Sequence, residues 1–319
     1  MASSCAPLRH AVRERALTSK CEPGLEFGYT DQPEETSLAA KKAAAKKAAG
    51  KKRKTAAKKA KARHVSASRR APATRTARKL TVVTEVPDRA MVIFAHPDDA
   101  EIGSGGVIAR WASAGCEVTY VLCTNGSAGT ADRSLTPAEL IDRRAAEQRA
   151  AADFMGVKNL VMLPHADGGL EDTREFRGDI VRAIRTYRPH TVFAHDPYRF
   201  RGFQHRDHRA VGIVTTDAVY PFARDHLHFP EHIVREGLEP HKVRELWYWG
   251  ADEPDVIVDV SASIDKQIAA LVRHESQMPG FNVPQGGTIG ERVKKGAAEL
   301  ARGYGFKHAA AFRRLIARR

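Results

Sequence analysis

The stretch VIFAHPDDAEIGSGG, residues 92–106, places one His, two Asp and one Glu in six positions at the end of an apolar run. RAMVIFAH (89–96) reads as a strand whose near-continuous apolar character fits cover on both faces. DAEIGSGGVIARWASAG (99–115) follows as a helix opened by glycines, and EVTYVLCTNG (117–126) as a second strand. Carboxylates clustered at a strand end repel one another and lose hydration unless a cation sits among them.

The pattern continues outward. TPAELIDRRAAEQRAAADFMGV (136–157) predicts a long amphipathic helix, with Thr136 as N-cap, Pro137 at the first helical position and Gly156 near its end. NLVMLP (159–164) is a third strand, TREFRGDIVRAIRTYRP (173–189) another helix and HTVFAHDP (190–197) a fourth strand. Strands alternating with helices predict an α/β fold, a Rossmann-like, mostly parallel sheet flanked by helices. Such sheets gather ligands at the carboxyl ends of their strands. VRELWYWGADE (243–253) and DVIVDVS (255–261) read as two more strands and SIDKQIAALVRHESQ (263–277) as a helix. After the Pro/Gly-rich MPGFNVPQGG (278–287), the chain is expected to be helical to Arg319, completing one catalytic domain over 86–319.

The formal charge of +14 suggests a nucleic-acid binder, but residues 41–79 hold 17 Lys and Arg and no acid, so the rest is slightly negative. KKAAAKKAAGKKRKTAAKKAKAR (41–63) is too poor in apolar surface to offset ordering entropy, so residues 1–85 are expected to form a disordered leader. It is compatible with weak, salt-sensitive contact to nucleic acid or another polyanion, and equally with a solvated charged extension. No run approaches a membrane span or a signal peptide. Cys5, Cys21, Cys116 and Cys123 form no CxxC pattern. Reduced, packed thiols and a cytoplasmic location are the expectation.

A divalent metal answers the charge problem at residues 96–101. Imidazole with carboxylate suits Zn²⁺, one per chain, and other first-row divalent metals. Further ligands must come from another strand end, and HDPYRFRGFQHRDHRAV (195–211) supplies His205 and His208, spaced i, i+3 where a loop enters a helix. Two or three protein ligands plus water is the open coordination of a catalytic site. Alone, an Asp pair is an ordinary helix cap and HxDH an ordinary surface cluster; their joint occurrence at two strand ends points to a site. The glycines 103–106 would let backbone approach a ligand and present free N–H groups. A dinucleotide fingerprint would need a further Gly that is absent, and a two-metal phosphoesterase would need more bridging carboxylates.

AHPDDAEIGSGG together with HRDH (205–208) resembles the LmbE-like or PIG-L deacetylases, over about residues 88–316. RRAAEQRAA (143–151), LPHADGGL (163–170), RHESQ (273–277) and GFKHAAAFRRL (305–315) add to the likeness. The resemblance implies a zinc-dependent enzyme removing acetyl from an N-acetylated amino-sugar small molecule. It implies His96, Asp99 and His208 as metal ligands and Asp98 as general base toward the attacking water. His205 would steady the oxyanion and protonate the leaving amine, with Asp207 fixing the orientation of a His. Arg144 and Asp167 would contact the substrate; the plainer readings are a surface pair of Arg144 with Glu147 and a turn at Asp167. His165, His195 and His274 are read as structural. Phe203 stands where members acting on inositol-linked glucosamine carry Tyr, and HAAAF (308–312) replaces their YAEAF. The alternative is a nucleic-acid-associated protein acting through its basic leader, its α/β domain of secondary or lost activity.

Overall fold

A computed structural model describes residues 79–278 and 287–317. Its strands are β1 (Thr81–Val82), β2 (Arg89–Phe94), β3 (Glu117–Thr124), β4 (Asn159–His165), β5 (Thr191–His195), β6 (Glu245–Trp249), β7 (Val256–Asp259) and β8 (Ala309–Ile316). They form one sheet in the order β1-β7-β8-β6-β5-β2-β3-β4. Neighbouring pairs are parallel except the two that β8 makes, with β6 and with β7. The mostly parallel α/β architecture expected from the alternating pattern is present.

Side chains along each strand alternate between two apolar layers. Val92, Phe94, Tyr120, Phe193 and Trp247 face one layer with α2 (Gly105–Ser113). Met91, Ile93, Val121, Val192 and Tyr248 face the other, with α4 (Arg174–Tyr187) and α5 (Arg206–Val219). Cover on both sides explains why these strands read as unbroken apolar runs. Cys116 and Cys123 are buried free thiols, and burial pushes the Cys116 thiol up to about 11.

The 136–157 expectation holds in detail. α3 (Pro137–Met155) opens on Thr136, whose hydroxyl accepts from the Glu139 N–H while the Glu139 carboxylate accepts from the Thr136 N–H. It closes on Gly156 at φ 83°, a left-handed position that favours glycine.

Three expectations change. The helix drawn over 99–115 is two helices, α1 (Asp99–Gly103) and α2, broken at Ser104. The glycines there approach protein: a Cβ on Gly103 would lie 2.5 Å from the Trp249 ring and one on Gly105 2.8 Å from Gln267. Past α6 (Pro230–Glu236) and α7 (Ile264–Leu271), the C-terminal segment is α8 (Ile289–Leu300) and then a strand, β8, where a helix was expected. AAAFRRL has high helix propensity, but its small residues and Phe312 fit the slot between β6 and β7, where Phe312 meets Phe193 and Trp247 at 5.4 and 5.5 Å. Tertiary packing overrides local preference here. Finally, Thr81 and Val83 donate to Asp255 and Ile257, so the sheet takes in residues ahead of the expected boundary at 86. The Lys/Ala-rich run 41–78, its expected polyanion contact, Cys5 and Cys21 lie outside the described residues. Among the described residues no helix is long and apolar enough to cross a membrane.

One polar side chain organises the segment after α5. Arg185, 1% exposed, donates to the carbonyls of Phe222, Ala223, Asp225, His228 and Phe229 at 2.8–3.2 Å. Arg185→Met would leave several of these carbonyls without a donor, each orphan costing about 1–3 kcal/mol. Chemical denaturation should show a loss of at least about 3 kcal/mol, at the upper end of single-substitution effects.

Candidate active site

β2 ends at Phe94, and the next residues turn across the carboxyl edge of the sheet into α1. Asp98 precedes that helix at φ 83°, the left-handed region, which short polar side chains tolerate better than others. Its N–H reaches Gln148 Oε1 on α3 at 3.4 Å. Asp99 folds back to accept from the His96 N–H at 2.7 Å. From the end of β5 the chain loops to His205, the N-cap of α5, which puts Asp207 and His208 on its first turn.

The two loops converge. His96 Nδ1 lies 3.2 Å from His208 Nε2 and 3.4 Å from Asp99 Oδ2, while His208 Nε2 lies 3.3 Å from Asp99 Oδ1. Ligand atoms on a tetrahedral zinc stand roughly 3.4 Å apart when each bond is about 2.1 Å. His96 and His208 stand at that spacing, and with His205 they form a set whose ligand atoms could share one cation, while Asp99 reaches His96 and His208 through different carboxylate oxygens.

On its other edge His96 Nε2 lies 3.1 Å from Asp207 Oδ2 and 3.2 Å from Asp167 Oδ1. A carboxylate only accepts, so Nε2 carries a proton toward Asp207 and Asp167, and a cation bound on the Asp99–His208 side would take the place of the proton on Nδ1. Burial works against charge on His96, yet Asp167, Asp207 and Asp99 push its pKa up to about 12. So dense a negative environment holds a positive charge at this spot. Asp99, despite burial, is held well below the usual carboxylate range by His195 and His208. Asp98 moves the opposite way, pushed well above that range by burial and by Asp99 and Glu101.

The His behind which Asp207 sits is His96, because α5 turns its carboxylate inward. There it is fully buried and also accepts from the Gly168 and Leu170 N–H groups at 2.7 and 3.2 Å. Its backbone N–H, in turn, donates to His205 Nδ1 at 3.2 Å, which leaves the His205 proton on Nε2. His205 is exposed, with its ring 4.6 Å from that of His96. Loss of a carboxylate that orients a metal-facing His typically lowers metal affinity about 10–100-fold. Asp207→Asn should weaken zinc binding by that factor in a competition titration.

Arg144 is not the surface partner of Glu147; Arg143 is, at 3.3 Å. Arg144 is 3% exposed and donates to Gly126, Ala128 and Gly129 carbonyls at 2.5–3.1 Å, with Asp167 3.6 Å away. It fixes the loop after β3, and Asp167 links it to His96. Arg144 forms part of the wall of a cavity of about 480 Å³ whose other walls include Asp98, Thr130, Asp132 and Ser276.

Sequence reasoning missed several neighbours. His195, read as structural, stacks under His208 at 4.0 Å and lies 3.4 Å from Asp99, so Asp99, His195 and His208 are a second set able to reach one cation. Burial lowers its pKa to about 4, keeping the ring neutral. Its place at the very end of a strand was the available signal. His274 and Glu101 form a wholly buried pair at 3.2 Å, Gln277 donates to the Pro97 carbonyl at 2.6 Å, and Ser276 donates to Glu147. The RHESQ segment thus braces the turn that carries Asp98. His165 pairs with Asp179 at 3.1 Å, away from the cluster.

The family model for PIG-L, GlcNAc-PI de-N-acetylase, matches residues 91–219. The diacetylchitobiose deacetylase of Thermococcus kodakarensis is 35% identical over 192 residues, 60% of this chain and 70% of that protein. A 1D-myo-inositol 2-acetamido-2-deoxy-alpha-D-glucopyranoside deacetylase of Mycobacteroides abscessus is 33% identical over 229 residues, 60% of this chain and 81% of that one. The N,N'-diacetylchitobiose deacetylase of Pyrococcus horikoshii, solved with an inhibitor, superposes with a TM-score of 0.66 at 29% identity, over 72% of this chain and 84% of that one. The matched segment runs from β2 to the end of α5 and holds the whole His–Asp cluster: the chain belongs to the PIG-L (LmbE-like) family.

Proposed function

We propose that the chain is a metal-dependent hydrolase that removes an N-acetyl group from an amino-sugar-containing small molecule. The observation that carries this reading is the meeting of His96, Asp99 and His208 at 3.2–3.4 Å beside a buried Asp98. Relatives named as deacetylases of diacetylchitobiose and of a glucosamine-inositol support the substrate class.

His96, Asp99 and His208 would hold Zn²⁺ or a similar cation, which would supply Lewis acidity toward the amide carbonyl and the attacking water. Asp98 takes the proton from that water; burial among carboxylates raises its affinity for that proton. His205 donates a hydrogen bond from its Nε2–H to the carbonyl oxygen as charge develops there, and Asp98 passes the proton it took from the water to the departing nitrogen. The C–N bond breaks, nitrogen leaves as an amine, and the acetyl carbon keeps the water oxygen as acetate. Asp207 holds His96 in the ligand tautomer. Arg144, with Asp167 behind it, lines the cavity beside Asp98, whose hydroxyl and carboxylate groups suit the sugar hydroxyls. The buried free thiols fit the reducing cytoplasm.

Zinc-loaded protein incubated with N-acetylglucosamine, N,N'-diacetylchitobiose and an N-acetylglucosaminyl inositol should release primary amine and acetate in equal amounts from at least one. Protein carrying one zinc per chain that releases neither from any of them would refute the reading.

A further inference from the structure

A second cavity, of about 520 Å³, meets the cluster at Asp99 and His208 and shares no lining residue with the polar one at Asp98. Further polar residues stand in its wall, among them His195, Arg199, Gln267 and Arg292, and the rest of the wall is largely apolar. Ile102, Trp249, Leu271, Val293 and Leu300 supply apolar wall, and Ala310 on β8 contributes only a methyl group. Ile102 sits one helical turn past Asp98 and is 45% exposed. None of the residues of α8 is buried, yet Ile289, Val293, Ala297 and Leu300 form one stripe along it that lines this space. The helix spans the cavity without filling it.

We infer that this cavity is an acyl pocket, and that the substrates are N-acyl amino sugars whose acyl chain is longer than acetyl. The inference rests on the hydrolase reading above. An amide has a sugar on its nitrogen and an alkyl chain on its carbonyl carbon. Asp98 lines one cavity, and Asp99 with His208 lines the other, more apolar one, the arrangement that suits those two halves. The methyl of an acetyl group would occupy a small part of a space in the 300–1,000 Å³ range that accommodates whole ligands. A chain of medium length, continuous with the carbonyl at Asp99 and His208, would cover Ile102 and the stripe on α8. Hydrolysis would then release a fatty carboxylate and the free amine, with water supplying the oxygen and the protons as before.

The test compares N-acetyl-, N-butanoyl- and N-octanoyl-glucosamine, with the octyl glycoside of N-acetylglucosamine as a chain placed at the sugar end. Each methylene moved from water into an apolar pocket is worth roughly fourfold in binding. The full-length, zinc-loaded protein should therefore favour N-octanoyl over N-acetyl by at least about tenfold in kcat/KM. Ala297→Phe, which puts a ring into the cavity from a helix with no buried residue, should bring that ratio to near one. The ratio is read within each variant, so a reduced folded fraction does not alter it. Octanoate alone should bind the wild type and bind Ala297→Phe at least about tenfold more weakly by calorimetry, a readout independent of turnover.

Release of amine from the N-acetyl compound with the N-octanoyl one untouched would overturn the acyl pocket and leave the deacetylase reading standing. A preference for the octyl glycoside in place of N-octanoyl would also overturn it, assigning the cavity to an aglycone. Silence across the whole panel would overturn both.

Discussion

Asp98→Asn is expected to lower kcat by roughly 10²–10⁴-fold, the range for loss of a positioned general base, while zinc content stays at one per chain. Asn is the informative replacement because it keeps the side-chain shape and, like Asp, tolerates φ near 83°. Asp98→Ala would add about 1–2 kcal/mol of backbone strain in the left-handed region and mix two effects. The backbone N–H bond to Gln148 Oε1 survives the Asn change, so the turn before α1 should hold its place. The checks are kcat on the best amino-sugar substrate, metal analysis and a thermal melt. A variant with full turnover would remove Asp98 as the base.

His208→Ala should abolish stoichiometric zinc binding. The His208 ring makes three relations at once: Nε2 at 3.2 Å from His96 Nδ1 and 3.3 Å from Asp99, and a 4.0 Å stack on His195. Its loss takes away one of the three proposed ligands and leaves carboxylates facing each other with less to neutralise them. The fall in affinity should go well beyond the roughly 10–100-fold expected for Asp207→Asn. Dialysis against a weak chelator followed by metal analysis separates the two: wild type keeps zinc, Asp207→Asn keeps part of it, His208→Ala keeps none. Retention of one zinc per chain by His208→Ala would refute the ligand set.

Local rules made much of this legible before any coordinates. Thr136, Pro137 and Gly156 bracket α3 because caps act within one turn, and the runs VIFA, VTYVLC and LVML read as strands because both their faces are covered. The convergence of residues 96–99 with 205–208 followed from the rule that parallel sheets gather chemistry at one edge. What escaped was set by contacts across the fold. AAAFRRL became β8 because a slot between β6 and β7 awaited it, and no short window contains that slot. Arg143 and Arg144 are adjacent in sequence, yet one faces solvent and the other carbonyls of a loop 15–18 residues away. Asp207 turned to His96, 111 residues away, and His195 looked like any buried strand residue until His208 lay against it.

β8 is the last of the described strands and lies between two that precede it by dozens of residues. During synthesis, β2 to β6 can assemble their parallel pairs early, whereas β7 and β1 join them only through β8. Until residues 309–316 emerge, β6 keeps a free edge of unpaired backbone groups, rich in Leu246, Trp247, Tyr248 and Trp249, which is a template for pairing with another chain. Nascent or truncated chains lacking that segment should therefore be the species that aggregate, and chaperone demand should peak late in translation.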